Sequence, residues 1–156
     1  MGYKKEIKIH ASIEKVWNSW TNEEETSNWL APKSHIVFED GGPYEFFWDD
    51  NPEKDSTIGC KLLRVEKRKI LCFEWQGKSE FLEMFKKPYG KTIIEVNFIE
   101  EENGIMVEVK QEETRNLEKW IEYDEWMSGA WEYALSCLKK YCEASKDEKE
   151  DKLDCC

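Results

Sequence analysis

The sequence is poor in histidine and in long apolar runs, and its positive charge is outnumbered by negative; each of these closes off a class of function. Only two histidines occur, His10 and His35, far apart and near the ends of strand-like runs. Six cysteines are present, but none lies in a Cys-x-x-Cys pair, so no metal site is expected. Lys and Arg number 23 against 34 Asp and Glu, a net charge of −11. Such acidity argues against a nucleic-acid partner, whose phosphates need a basic surface, and disfavours anionic membranes. No stretch approaches the about eighteen apolar residues of a membrane span. Met1-Gly2-Tyr3-Lys4-Lys5-Glu6 runs straight into a charged alternating segment and does not read as a signal peptide. The expectation is a cytoplasmic protein with reduced cysteines.

Motifs of familiar chemistry are missing too. There is no Gly-x-Ser-x-Gly elbow, no His-Glu-x-x-His, no P-loop and no dinucleotide fingerprint. Neither histidine has an obvious carboxylate partner, and Glu45 and Glu74, the candidates for proton transfer, should alternate outward from their aromatic strand faces. No catalytic residue and no cofactor is expected.

What the sequence does hold is aromatic surface. Phe, Trp and Tyr make up 13% of the chain, with eight tryptophans among them, more than a small domain needs for packing. The chain is organised around Trp120–Cys142. At about 100° per residue, Trp120, Tyr123, Met127, Ala130, Trp131, Ala134, Leu138 and Tyr141 share one side of a helix. Glu122, Glu125, Glu132, Ser136, Lys140 and Glu143 fall opposite. Two readings of the small residues at the centre of that face stay open. Either Ala130 and Ala134 allow the helix to approach a sheet closely, or a cavity opens beside them.

The order of elements suggests what faces that helix. Glu6–Ala11 alternates like a strand with one wet side. Ser12 caps a helix over Ile13–Trp20, and Thr21-Asn22-Glu23-Glu24 reads as a capping box opening a second helix to about Trp29. From Lys33 the period becomes two. Strands are expected over His35–Glu39, Tyr44–Asp49, Thr57–Lys67 and Ile70–Gln76. A bulge is expected near Leu63 and Val65, where the alternation breaks. Ser79–Lys87 is ambiguous between strand and helical turn. Lys91–Glu100 and Ile105–Glu113 flank the hairpin signal Asn103-Gly104. Ser145–Cys156 is a charged segment with little to bury, so residues 1–144 are read as one domain and 145–156 as a disordered tail. The terminal Cys155-Cys156 lacks the basic neighbours of a prenylation signal. The expected fold is α+β: a curved antiparallel sheet of about six or seven strands around one long C-terminal helix.

Ala11-Ser12-Ile13-Glu14-Lys15-Val16-Trp17, then Thr21-Asn22-Glu23 and Trp29, resembles the opening of the Aha-type family, homologues of the activator of the heat-shock protein 90 ATPase. Gly42-Pro43-Tyr44-Glu45-Phe46 resembles that family's Gly-x-Tyr-x-Phe strand. Gly59 with Arg64-Val65-Glu66 and Phe73-Glu74-Trp75 resembles the next hairpin. Gly129-Ala130-Trp131 with Leu135 and Leu138 resembles the closing helix. The resemblance covers roughly residues 5–143 and implies the helix-grip fold of the START-like, birch-pollen-allergen-like (SRPBCC) superfamily. It also implies an apolar cavity between sheet and helix. Superfamily relatives carry lipids, sterols or plant hormones, and some act as polyketide cyclases or aromatases.

Three functions follow as expectations. The first is a non-catalytic protein that holds a small apolar or aromatic ligand. Its wall would be Trp48, Phe73, Trp75 and Phe98, and its helix side Met127, Ala130, Trp131 and Ala134. The second is a chaperone-activator-like or stress-response interaction module with a protein partner. The third is a cyclase- or aromatase-like enzyme that uses the cavity to fold a flexible chain.

Overall fold

A computed structural model describes residues 2–77, 79–85, 90–111 and 118–144. The tail from residue 145, the connection after Thr114 and the Pro88-Tyr89 turn lie outside the described residues.

Seven strands form. Five make the main sheet, in the order β1-β7-β6-β5-β4 with every neighbouring pair antiparallel. The strands are β1 (Tyr3–Ile9), β4 (Leu62–Glu66), β5 (Ile70–Trp75), β6 (Thr92–Glu101) and β7 (Gly104–Gln111). The remaining two, β2 (Lys33–Ile36) and β3 (Tyr44–Phe47), pair as a separate hairpin. The main sheet is therefore narrower than the six or seven strands expected of one sheet. Single bridges, Pro43 to Lys61 and Phe47 to Ser56, carry the pairing from β3 toward β4. The break has a local cause. Residues 57–60 fold as a turn with Gly59 at φ +86°, so the run read as a strand from Thr57 becomes regular only at Leu62. Ile58, expected inward, is exposed, whereas Cys60 and Leu62 are buried. The bulge expected near Leu63 is present as a register shift between Leu62 and Arg64.

The β6–β7 hairpin closes with Glu101 opposite Gly104. Asn103 takes the left-handed conformation at φ 66°, which asparagine tolerates better than most residues. Gly104 has no room for a side chain, because a Cβ there would lie 2.5 Å from the Ile9 carbonyl oxygen.

Among the described residues, α-helices at both ends of the chain pack on the main sheet, with a shorter one between. In α1 (Ile13–Thr21) the Ser12 side chain accepts from the Lys15 N–H. The cap of α2 (Glu23–Thr26) is Asn22, one residue later than the capping box suggests, accepting from the Glu24 N–H at 2.8 Å. This second helix is one turn long and ends well before Trp29. The ambiguous stretch is a 3-10 helix, Ser79–Phe85. The long helix α3 runs from Glu118 to Glu143.

Alternation along the strands sends Leu71, Phe73, Trp75, Ile94, Val96 and Phe98 into the core. From α3 come Trp120, Tyr123, Met127, Trp131, Leu135 and Leu138. The buried stripe is rotated relative to the sequence reading. Leu135, Cys137, Cys142 and even Asp124 are inside, while Ala130, Ala134 and Tyr141 are half-buried. Asp124 is tolerated because Gln111 Nε2 donates to its Oδ1 at 2.9 Å. Trp20 of α1 sits between the layers, stacked on Trp131 at 5.9 Å and edge-on to Trp29 at 4.8 Å.

Candidate functional site

The rotation of α3 leaves its alanine flank uncovered, and a groove of about 380 Å³ opens there. Its helix side is Met127, Ala130, Trp131 and Ala134, with Trp126 and Tyr133 at the lip. The opposite side comes from Trp75, Gln76 and Gly77 at the end of β5, and from Trp48, Asp55 and Ser56 around the β3 turn. Trp29 and Leu30, in the turn after α2, close the end. Trp29, Trp75 and Trp131 are buried floor, whereas Trp48 (41% exposed), Trp126 (37%) and Tyr133 (56%) frame a mouth open to solvent. The volume lies at the lower end of the range of small-molecule sites, about 300–1,000 Å³.

The rings are held before any ligand arrives. The Trp48 Nε1–H donates to the Leu30 carbonyl at 3.0 Å, and the Trp29 Nε1–H to the Ser19 carbonyl at 2.7 Å. Trp75 packs on Trp131 at 5.0 Å and against Trp48 at 6.2 Å. Behind the floor lie the buried Trp131 Nε1–H and Tyr3 hydroxyl. Burial, reinforced by Tyr123 and Asp124, pushes the Tyr3 phenol well above its ordinary range, and the Trp131 indole opposes the shift.

Polar groups cluster at one rim. Gln76 Nε2 donates to the Ser56 carbonyl at 3.0 Å, and the Ser56 hydroxyl donates to the Pro52 carbonyl at 2.6 Å. The Asp55 N–H donates to Ser79 Oγ at 2.8 Å, and Asp55 Oδ1 accepts the Ser79 N–H at 2.9 Å. Gly77 is required by proximity, since a Cβ there would lie 2.4 Å from Tyr123 Cε1.

Six of the eight residues singled out in the sequence meet at this groove: Trp48, Trp75, Met127, Ala130, Trp131 and Ala134. Phe73 and Phe98 do not. Phe73 is buried against Tyr44 at 4.7 Å, two residues deeper than Trp75 on the same strand face. Phe98 packs under α1 against Trp17 at 5.0 Å. Sequence reasoning missed Trp126 and Tyr133, although both fall on the Ala130 and Ala134 stripe at helical spacing. It also missed Trp29, Asp55 and Gln76, which only the tertiary path brings in. Glu45 and Glu74 do point away. Glu45 accepts from the Gly59 N–H, and Glu74 from the Lys61 N–H. His35 does have a carboxylate partner, Glu45 directly across the β2–β3 pair, with Nδ1 at 3.0 Å from Oε1. That pair is on the exterior, away from the groove.

A long helix gripped by an antiparallel sheet, with an apolar groove between them, is the architecture of the START-like helix-grip proteins. The profile of the Activator of Hsp90 ATPase homolog 1-like protein family matches residues 10–143, and the chain belongs to that family. No curated protein matches the chain. Among solved structures, the fold is similar to the Aha1 dimer from Colwellia psychrerythraea, at 17% identity over 92% of this chain and 96% of that one, with a TM-score of 0.71. It is also similar to protein MLL2253 from Mesorhizobium loti, at 17% identity over 89% and 94%, with a TM-score of 0.69. A third similar structure is DynU16, a protein of the dynemicin biosynthetic locus, at 13% identity over 90% of this chain and 46% of that one, with a TM-score of 0.68.

Proposed function

We propose that this chain is a non-catalytic binding protein that holds a small hydrophobic or aromatic ligand in the groove between sheet and C-terminal helix. One observation carries the reading: indoles and a thioether converge on an open 380 Å³ space, with two of those indoles fixed by hydrogen bonds to backbone carbonyls. Side chains ordered in advance lose little conformational freedom when a ligand docks. Native mass spectrometry of gently purified protein tests this directly, with a co-purifying small mass as the expected result. A protein that stays empty, and whose melting temperature ignores a broad lipid and aromatic screen, overturns it.

A second reading, an activator-like interaction module, draws on the family's description and on the acidic composition. An acidic surface would engage a basic patch, and added salt would weaken the complex. Recovery of a chaperone in a low-salt pull-down, with a change in its ATPase rate, is the result that would favour it.

A further inference from the structure

The described lining of the groove is apolar apart from a few polar groups at one rim. Among the described lining residues there is no Lys, Arg or His, and Asp55 is the one acidic side chain. Two of its indole N–H donors, those of Trp29 and Trp48, are spent on backbone carbonyls, so these rings offer the groove π surface and not hydrogen bonds. A ligand with a carboxylate or phosphate head would find no cation among the described lining residues, and its desolvated charge would be opposed by Asp55. A positively charged head would find both an electron-rich ring face and a counter-charge.

The backbone places these two elements side by side. The Trp48 N–H donates to the Asp55 carbonyl at 3.2 Å, so Asp55 faces Trp48 across the bridge that joins Phe47 to Ser56. Asp55 sits in the left-handed region at φ 47°, a conformation that aspartate tolerates better than most residues. Its Oδ1 is fixed by the Ser79 N–H, and among the described residues no cation pairs with the carboxylate. The carboxylate is thus anchored and half-buried, and Asp55 lines the same groove as the half-exposed Trp48. Aromatic faces of this kind attract quaternary and alkyl ammonium groups, Trp most strongly.

Building on the groove reading above, we propose that the groove binds an organic ammonium ion, its apolar body against Trp75 and Trp131 and its charged head at the mouth between Trp48 and Asp55. The net charge of −11 favours the approach of such a ligand.

Calorimetric titration of the full chain with an isosteric pair decides the matter: phenyltrimethylammonium and its neutral carbon analogue tert-butylbenzene. The expected result is at least tenfold tighter binding of the cation, with that advantage lost in Asp55→Asn. The substitution retains an acceptor for the Ser79 N–H, and a thermal melt matching the parent's shows the segment intact. Should the variant fold poorly, the comparison of the two probes in the unmodified chain decides alone. Equal or tighter binding of tert-butylbenzene overturns the ammonium inference and leaves the apolar groove standing. A cation preference that survives Asp55→Asn overturns the assigned pairing. If neither probe binds up to its solubility limit, both readings fall.

Discussion

Ala134 and Gly77 are small for opposite reasons, and substitutions at the two sites should separate open space from close contact. Ala134 lies on the groove flank, where extra methylenes have somewhere to go. Ala134→Leu should raise stability by up to about 1 kcal/mol by shielding more apolar surface, and should abolish ligand uptake. Urea melts and titrations read both effects, and a loss of stability would mean the flank is already full. Gly77 is the reverse case. A methyl there meets the ring of fully buried Tyr123, which has nowhere to retreat. Gly77→Ala should destabilise by about 1–3 kcal/mol, as overpacking does. A tetrad of Ala130, Ala134, Trp131 and Met127 was legible in the sequence because helical spacing is a local property. The Gly77 constraint was not, since it depends on a residue 46 positions away in the chain. Phe73 and Phe98 share the strand periodicity of Trp75, and alternation fixes which face a side chain takes without fixing its depth beneath the helices.

At the scale of elements, the C-terminal end of α3 is tied to the start of the chain by a few charged contacts. The His10 N–H donates to Glu143 Oε2 at 2.7 Å, and Lys139 Nζ reaches both that oxygen at 2.7 Å and the Lys8 carbonyl at 2.9 Å. Burial alone would raise the Glu143 carboxyl, but the His10 N–H and Lys139 outweigh it and hold the group below its ordinary range. A carboxyl lowered in the folded state stabilises fully above its unfolded pKa and loses that contribution as pH falls through the folded value. Glu143→Gln should therefore lower stability slightly at neutral pH, by up to about 0.5 kcal/mol because solvent screens this exposed carboxylate, with the two proteins converging in acid. Melting curves collected from neutral pH downward check this, and a constant offset would contradict it. Most elements were readable from period and caps, within a residue or two. The Ser79–Phe85 helix was not, because its aromatic residues suit a strand as well as a helical turn. The division of the sheet was missed as well, since it turns on the backbone conformation at Gly59.

For the molecule as a whole, the layers meet at one side chain. Trp20 contacts Trp29 beyond α2, Phe73 and Phe98 of the sheet, and Trp131 of α3. Truncating it removes a fully buried indole from every layer at once. Trp20→Ala should cost about 3–5 kcal/mol, a large share of a small domain's stability. The signature would be a single cooperative transition displaced to lower urea. The overall architecture was legible because only one helix had the length to cover an antiparallel sheet. The groove's place on its flank was not, since it depends on how far α3 rotates about its own axis as it docks.

The indoles of Trp48, Trp75, Trp131, Trp20 and Trp29 form an unbroken string, each centroid between 4.8 and 6.2 Å from the next. At such separations the transition dipoles of neighbouring rings couple, so excitation absorbed by one ring can pass to the next. Far-ultraviolet circular dichroism, where the indole transition is strong, should therefore show a split-band contribution unlike that of isolated tryptophans. Excitation absorbed at buried Trp29 should migrate along the string to Trp48 at the solvent edge. A molecule touching that last ring would alter the emission of all five, which gives the groove a built-in optical reporter.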